Sequence, residues 1–335
     1  MKTANIVSTI VAGAALTVIT LTASAQTILR LGHSGSPTSS QHLAAQKMAE
    51  VVASKTQGAL RIQIFPESQL GDDASAIAQV QSGSLDMVMA GTSAFVPLAP
   101  RLTEIDLPYS FDSPVKAWRE LDSDFYGKSL LNEPLAHGIK GLGFWEVGFR
   151  LISSNKGFVE TPADLKGLRL RVEGNPQQHE YFRALGARPV SVPLGELFQA
   201  LKSGKLDGQD FPLPITYSSK LYEVQKYVTL TRHAYTALMV AINLQRFQSL
   251  PPAQQQALLA AVVVGRDFQR DLNAKNEQEI IADLRAHDVQ VLESIDPAPF
   301  RAIATVQSAN YFASRLLVGP KTINAQTATA RQAQP

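Results

Sequence analysis

Two arginines, Arg169 and Arg171, are the side chains of this chain best suited by type and spacing to bind a charged ligand. They alternate with Leu168, Leu170 and Val172, the period of a strand with one face on a core and the other carrying fixed positive charge. Guanidinium is planar and stays ionised, so an arginine on a rigid strand suits two-pronged capture of a carboxylate. A solvated strand face produces the same pattern, because exposed arginine is the common case. Other chemistries leave weaker traces. The six histidines (His33, His42, His137, His179, His233 and His287) are scattered, with none paired at metal-ligand spacing. There is no His-Glu-x-x-His run and no Gly-x-Ser-x-Gly elbow. The adjacent acids Asp72 and Asp73 stand at an expected helix start, and Glu67 and Asp73 read as turn and helix-cap residues. An exported hydrolase is therefore the enzyme rival without a motif, and no metal or cofactor is expected.

The first 25 residues read as a removable signal peptide. Met1 and Lys2 precede an apolar run from Ile6 to Leu21, and Ala23-Ser24-Ala25 supplies a small-x-small site for cleavage after Ala25. An uncleaved membrane anchor is the rival reading. No other stretch approaches the ~18 continuous apolar residues of a further span. The absence of Cys excludes disulfides, thiolate metal sites and lipid attachment through an N-terminal cysteine. Export to the periplasm as a soluble protein follows, with enough chain for a large core or two lobes. Lys2 is the only charge in the leader, so the remaining basic residues nearly balance 29 acids. That balance argues against nucleic acid or an anionic membrane surface as partner, so local arginines must attract any anion.

The elements that must position those arginines come in two similar sets. Strand Ile28–Leu31, the turn His33-Ser34-Gly35-Ser36-Pro37, and a helix capped by Ser39 or Ser40 and ended by Gly58 open the first. Strand Leu60–Ile64, a helix opened by Gly71-Asp72-Asp73 and closed at Ser82-Gly83, and strand Leu85–Ala90 complete it. The second set is strand Leu168–Val172, helix Pro176–Leu185, strand Pro189–Val192 and helix Leu194–Lys202. Ser82-Gly83-Ser84-Leu85-Asp86 recurs as Ser203-Gly204-Lys205-Leu206-Asp207, each time between helix and strand. Common helix-stop punctuation would also explain the echo. This alternation predicts an α/β fold of two alike lobes, each a mainly parallel sheet flanked by helices, with ligand in a cleft at the strand C-termini. A long helix from Pro252 to about Ala286 bears apolar Leu258, Val262, Phe268, Leu272, Ile280 and Leu284. It is long enough to brace both lobes, unless it kinks near Gly265.

Five segments in this order carry a family resemblance: Phe65-Pro66-Glu67-Ser68-Gln69-Leu70-Gly71-Asp72-Asp73, Ser82 to Asp86, Asp164 to Val172, Ala184-Leu185-Gly186-Ala187, and Leu201 to Gln209. Over roughly Ile28 to Pro320 the chain resembles the periplasmic solute-binding subunit of tripartite ATP-independent periplasmic (TRAP) transporters, the DctP family. The resemblance implies a two-lobed periplasmic binding protein, type II-like, and not an enzyme. It implies closure around an organic acid anion and delivery to the small and large subunits of a membrane permease. A monomer is the default for such delivery proteins. The expected lobes are residues 26–148 with about 237–276, and 149–236 with about 277–320, followed by a frayed tail at 321–335. A binding protein of an ATP-driven importer and a ligand-sensing module share such a cleft and stay as alternatives.

Site residues follow position by position. Arg171 matches the family arginine that pairs with the substrate carboxylate. Arg150, in Gly148-Phe149-Arg150, matches a second arginine that reaches the same anion or forms an ion pair at the interlobe crossing. Where the family commonly reads Asp-Gly-x-Glu-Asn, this chain has Asp207-Gly208-Gln209-Asp210-Phe211. Phe211 cannot donate to a carboxylate as Asn would; it either lines the cleft with apolar area or points into the core before Pro212. Gly91 and Thr92 stand where sialic-acid binders of the family carry Glu, which speaks against sialic acid. His33, Ser34, Trp145, Asn175 and Tyr235 complete the candidate ligand contacts, with capping, core and hinge roles as their competing explanations.

Overall fold

The computed structural model describes residues 26–317, so the leader expected at 1–25 and the tail expected at 321–335 lie outside the described residues. In the first lobe β1 (Thr27–His33), α1 (Ser40–Lys55), β2 (Leu60–Phe65), α2 (Asp73–Ser82) and β3 (Met87–Gly91) form a parallel sheet in the order β2-β1-β3. Ser39 caps α1 by accepting the His42 N–H, and Asp72 caps α2 by accepting the Ser75 N–H. The cap belongs to Asp72, which leaves Asp73 free to turn elsewhere. Short helices α3 (Thr92–Phe95), α4 (Thr103–Asp106), α5 (Pro114–Leu121) and α6 (Tyr126–Leu131) then lead to β4 (Ile139–Ser154).

β4 belongs to both lobes. Ile139 to Phe149 pair antiparallel with a later strand, β9 (Tyr235–Asn243), while Arg150 to Ser154 pair antiparallel with β7 (Gly208–Pro212). The partner changes between Phe149 and Arg150, just past a register shift at Glu146/Gly148, where Gly148 takes φ +107°. Such an irregularity bends and twists a strand. The second lobe repeats the parallel plan with β5 (Arg169–Val172), α7 (Pro176–Ala184), β6 (Arg188–Ser191), α8 (Leu194–Lys202) and β7, in the order β7-β5-β6. Then come α9 (Leu213–Ser218), β8 (Tyr227–Thr229), β9, α10 (Leu244–Ser249), α11 (Pro252–Ala286), β10 (Gln290–Leu292) and α12 (Ala298–Leu317). The fold is the expected two-lobed α/β arrangement, with antiparallel β4 and β9 stitching two parallel cores.

The recurring phrase has a structural meaning. Gly83 and Gly204 both take left-handed backbone, φ +82° and +70°, ending α2 and α8. Asp86 then accepts the backbone N–H of Arg30 at 2.9 Å, and Asp207 that of Arg169 at 2.9 Å. Asp207 also takes Nε and Nη2 of Arg169, at 3.0 and 2.8 Å, and these bonds hold its carboxyl down to about 2. Arg169, half of the pair singled out by spacing, is thus committed to fastening β5 to β7.

Helix α11 is continuous through Gly265. Its Leu258, Ala261 and Val262 join a cluster that holds Leu29, Met48 and Val240 of the first lobe together with Leu197 and Phe211 of the second, and Ile281 and Leu284 join a second-lobe cluster with Leu213 and Val228. Phe268, expected on the apolar stripe, is 39% exposed instead. Trp145 donates from its indole N–H to the Val262 carbonyl at 3.0 Å, pressing its ring against the helix. A Cβ at Gly265 would lie 2.5 Å from Trp145 Cζ2 and 3.1 Å from the Ala44 carbonyl oxygen. Gly265→Ala is therefore expected to destabilise the protein by about 1–3 kcal/mol through overpacking, although Ala is the better helix former by ~1 kcal/mol. A urea unfolding curve checks the sign.

Candidate functional site

The C-terminal ends of β1, β3, β5 and β7 meet between the lobes and bring Ser34, Gly91, Thr92, Arg171, Glu173, Asn175 and Phe211 into one region. Arg171 is 4% exposed, and its Nε donates to the Val192 carbonyl at 3.0 Å. This is its one hydrogen bond among the described residues, and its buried Nη1 has no hydrogen-bond partner. The guanidinium carbon lies 4.1 Å from the centre of the Phe211 ring, a cation–π contact that supports the charge from one side. Phe211 is 5% exposed and belongs to a core cluster. Burial pushes Arg171 below its ordinary value and Glu173 works against that push. An arginine so placed keeps its charge and has donors to spare.

Arg150 contrasts with it throughout. Fully buried, it donates Nε to Asp210 Oδ2 at 2.8 Å and Nη2 to Asp210 Oδ1 at 2.9 Å and to the Asp210 carbonyl at 2.5 Å. Its Nη1 donates to Thr236 at 2.8 Å and to Glu173 Oε2 at 3.2 Å. All five N–H donors are engaged within the protein. Burial disfavours the charge, but Asp210 and Glu173 more than offset that and raise its pKa. Burial would raise Asp210 in turn, yet Arg150 and His233 hold it lowered. Arg150 and Asp210 thus form a buried ion pair at the point where β4 crosses between the lobes.

Sequence reasoning missed Glu173, Ser93, Asp106 and the turned Asp73. Glu173 follows β5 and crosses the cleft: its Oε2 accepts from Ser93 of the first lobe at 3.1 Å, while Oε1 is 4.0 Å from Arg171 Nη1. Position alone was the available signal, since ligand residues gather just past the C-termini of parallel strands. Asn175 caps α7 through the Gln177 N–H and reaches Asp106 at 3.5 Å. Asp106 Oδ1 lies 3.0 Å from the Thr92 hydroxyl, which is also 3.3 Å from the Ala237 carbonyl. Burial, then the Glu173 charge, pushes Asp106 up to about 8. Protonated, it can donate to Thr92, freeing the hydroxyl proton for Ala237. Burial likewise lifts Asp73 to about 6, against hydrogen bonds from Ser34 and Gly91 and with help from Glu173.

The remaining expected residues lie deeper. His33 Nδ1 accepts the Gly35 N–H at 3.2 Å, so the proton sits on Nε2, 3.1 Å from Nδ1 of His42. Burial, with His42 adding, drives its pKa down to about 3, and the neutral pair shapes the loop that presents Ser34. Trp145 is enclosed against α11. Tyr235 is enclosed as well and donates to Glu146 at 2.6 Å. A cavity of about 290 Å³ lies on the α11 side of the crossing strands, between Trp118, Phe149, Leu213 and Asn273; neither Arg171 nor Glu173 lines it.

Two α/β lobes share β4, and their fold is that of the bacterial solute-binding proteins. The chain belongs to the DctP family of bacterial extracellular solute-binding proteins, family 7, whose model matches residues 31–315. It is 42% identical over 290 residues to an uncharacterised protein of Haemophilus influenzae, covering 87% of this chain and 88% of that one. It is 36% identical over 272 residues to the 2,3-diketo-L-gulonate-binding periplasmic protein YiaO of Escherichia coli, covering 81% and 83%. Among solved structures, the sugar acid binding protein DctPAm of Advenella mimigardefordensis in complex with galactonate superposes with a TM-score of 0.82 at 30% identity, covering 92% of this chain and 99% of that one. The family comprises binding proteins, not enzymes.

Asp106 sets a pH signature. Its folded-state pKa lies above the unfolded value, so across the window between them the native state holds a proton that the unfolded chain lacks, and stability falls as pH rises. Thermal melting temperature is expected to decline between roughly pH 6.5, above the ordinary histidine titration, and about 8. Asp106→Asn, neutral throughout, should flatten that decline; an unchanged slope would mean that Asp106 is ionised in the folded protein.

Proposed function

We propose that this chain is the periplasmic binding subunit of a TRAP transporter, capturing an organic acid through a salt bridge between its carboxylate and Arg171 and delivering it to the small and large permease subunits. The observation that carries the reading is the contrast between two buried arginines, one saturated by protein and one with a single hydrogen bond. A carboxylate supplies the planar pair of acceptors that the spare donors of Arg171 lack. Arg150 has the complementary task of holding β4 on β7 so that the receptor arginine is presented rigidly. The protein works as an exported monomer, its lobes 26–148 with 237–276 and 149–236 with 277–320 closing around the ligand. The ligand favours the closed form because only there do donors from both lobes reach it.

The surroundings of Arg171 favour a sugar acid. Ser34, Ser93, Asp73 and Glu173 offer hydroxyls and acceptor oxygens suited to a polyhydroxylated body. The diketogulonate named for the Escherichia coli relative and the galactonate bound to the Advenella protein are of that class.

The two arginines should respond differently to removal. Arg171→Ala is expected to fold normally and to weaken sugar-acid binding by about 2–5 kcal/mol, read by calorimetric titration. Arg150→Ala leaves Asp210 buried without its partner and should cost about 3–5 kcal/mol of folding stability, read by urea unfolding. Full ligand affinity in a folded Arg171→Ala protein would overturn the proposal.

A further inference from the structure

Glu173 is a carboxylate at the place where a ligand carboxylate would be drawn. It accepts from Arg150 at 3.2 Å and from Ser93 across the cleft at 3.1 Å, and its other oxygen stands 4.0 Å from the unpartnered Nη1 of Arg171. Its side chain is 17% exposed, less enclosed than the two arginines it faces. It is anchored by hydrogen bonds to one guanidinium and stops short of hydrogen-bonding the other. Within the cleft the charges of Arg150 and Arg171 are thereby matched by those of Asp210 and Glu173, before any ligand enters.

We infer that Glu173 is a specificity-determining residue that selects monoanionic polyhydroxy acids and rejects dicarboxylates. The inference rests on the carboxylate-binding role of Arg171. One ligand carboxylate can take the open donors of Arg171, on the side that Glu173 leaves unbonded. A second ligand carboxylate would meet Glu173 and Asp73 with no further guanidinium donors, because those of Arg150 are all engaged. Unlike a carboxylate, a ligand hydroxyl can donate to Glu173 Oε1. The same negative charge contributes to the raised pKa values of Asp73 and Asp106, after their burial, so added anionic charge is already resisted here. Like charges brought together in a desolvated site suppress the wrong partner more strongly than matching contacts reward the right one.

The test is isothermal titration of wild-type, Glu173→Gln and Glu173→Asp proteins with aldonates (galactonate, erythronate) and with succinate and malate. Gln keeps an oxygen for Ser93 and Arg150 and removes the charge; Asp keeps the charge on a shorter arm. Wild type should prefer aldonates, and Glu173→Gln should reduce that preference by about tenfold or more, mainly by gaining affinity for dicarboxylates. Glu173→Asp should retain the preference. A merely structural role would move the melting temperature and leave the ratio of affinities alone, and that result overturns the inference while leaving the carboxylate reading intact. If Glu173→Gln does not fold, a wild-type protein that binds succinate as tightly as aldonates overturns it equally. Wild-type protein that binds no carboxylate overturns both readings together.

Discussion

The cleft depends on the ion pair between Arg150 and Asp210, enclosed where β4 leaves one lobe for the other. Two unlike charges removed from water are costly unless every donor finds an acceptor, and here each of the five does. The pair holds the ladder between β4 and β7 at the residue where β4 changes partners. The division of labour between two arginines of equal chemistry comes from their neighbours: Asp210 on the paired strand takes the N–H donors of Arg150 with both carboxylate oxygens, whereas Arg171 meets a carbonyl, an aromatic ring and a carboxylate held just beyond hydrogen-bond reach.

Phe211 explains how an arginine survives under-bonded in a buried site. Its ring face lies 4.1 Å from the Arg171 guanidinium and 5.3 Å from that of Arg150, so one apolar side chain supports both. A ring stabilises the cation without using up a single N–H donor, which an amide oxygen would do.

Much of this was legible in the sequence, and the reasons are local. Strand alternation around Leu170 and Val172 and the glycines after α2 and α8 are decided within a few residues, so the strands and helices and their order could be read directly, while the cap of α2 fell to Asp72 and not to the Asp73 expected. The motif that contains Arg171 is local in the same sense. What escaped notice were roles created by contact at long separation. Glu173 looks like a loop acid until Ser93 is brought opposite it, 80 residues away in sequence. Asp73 looks like a cap because Asp72, beside it, is one. Trp145 and Tyr235 carry ring chemistry that suits a sugar, but burial is a property of the fold, and both are enclosed. Phe211 is buried in a core cluster, and its ring carries the Arg171 guanidinium on one face.

Helix α11 sets a mechanical limit on what these lobes can do. A single rod of 35 residues, about 50 Å long, packs against residues of both lobes, and one unbroken strand, β4, joins the same two bodies alongside it. Two such ties oppose sliding and pulling apart, and they yield to bending and twist. Any rotation of one core against the other has to be absorbed as curvature of the helix and twist of the strand.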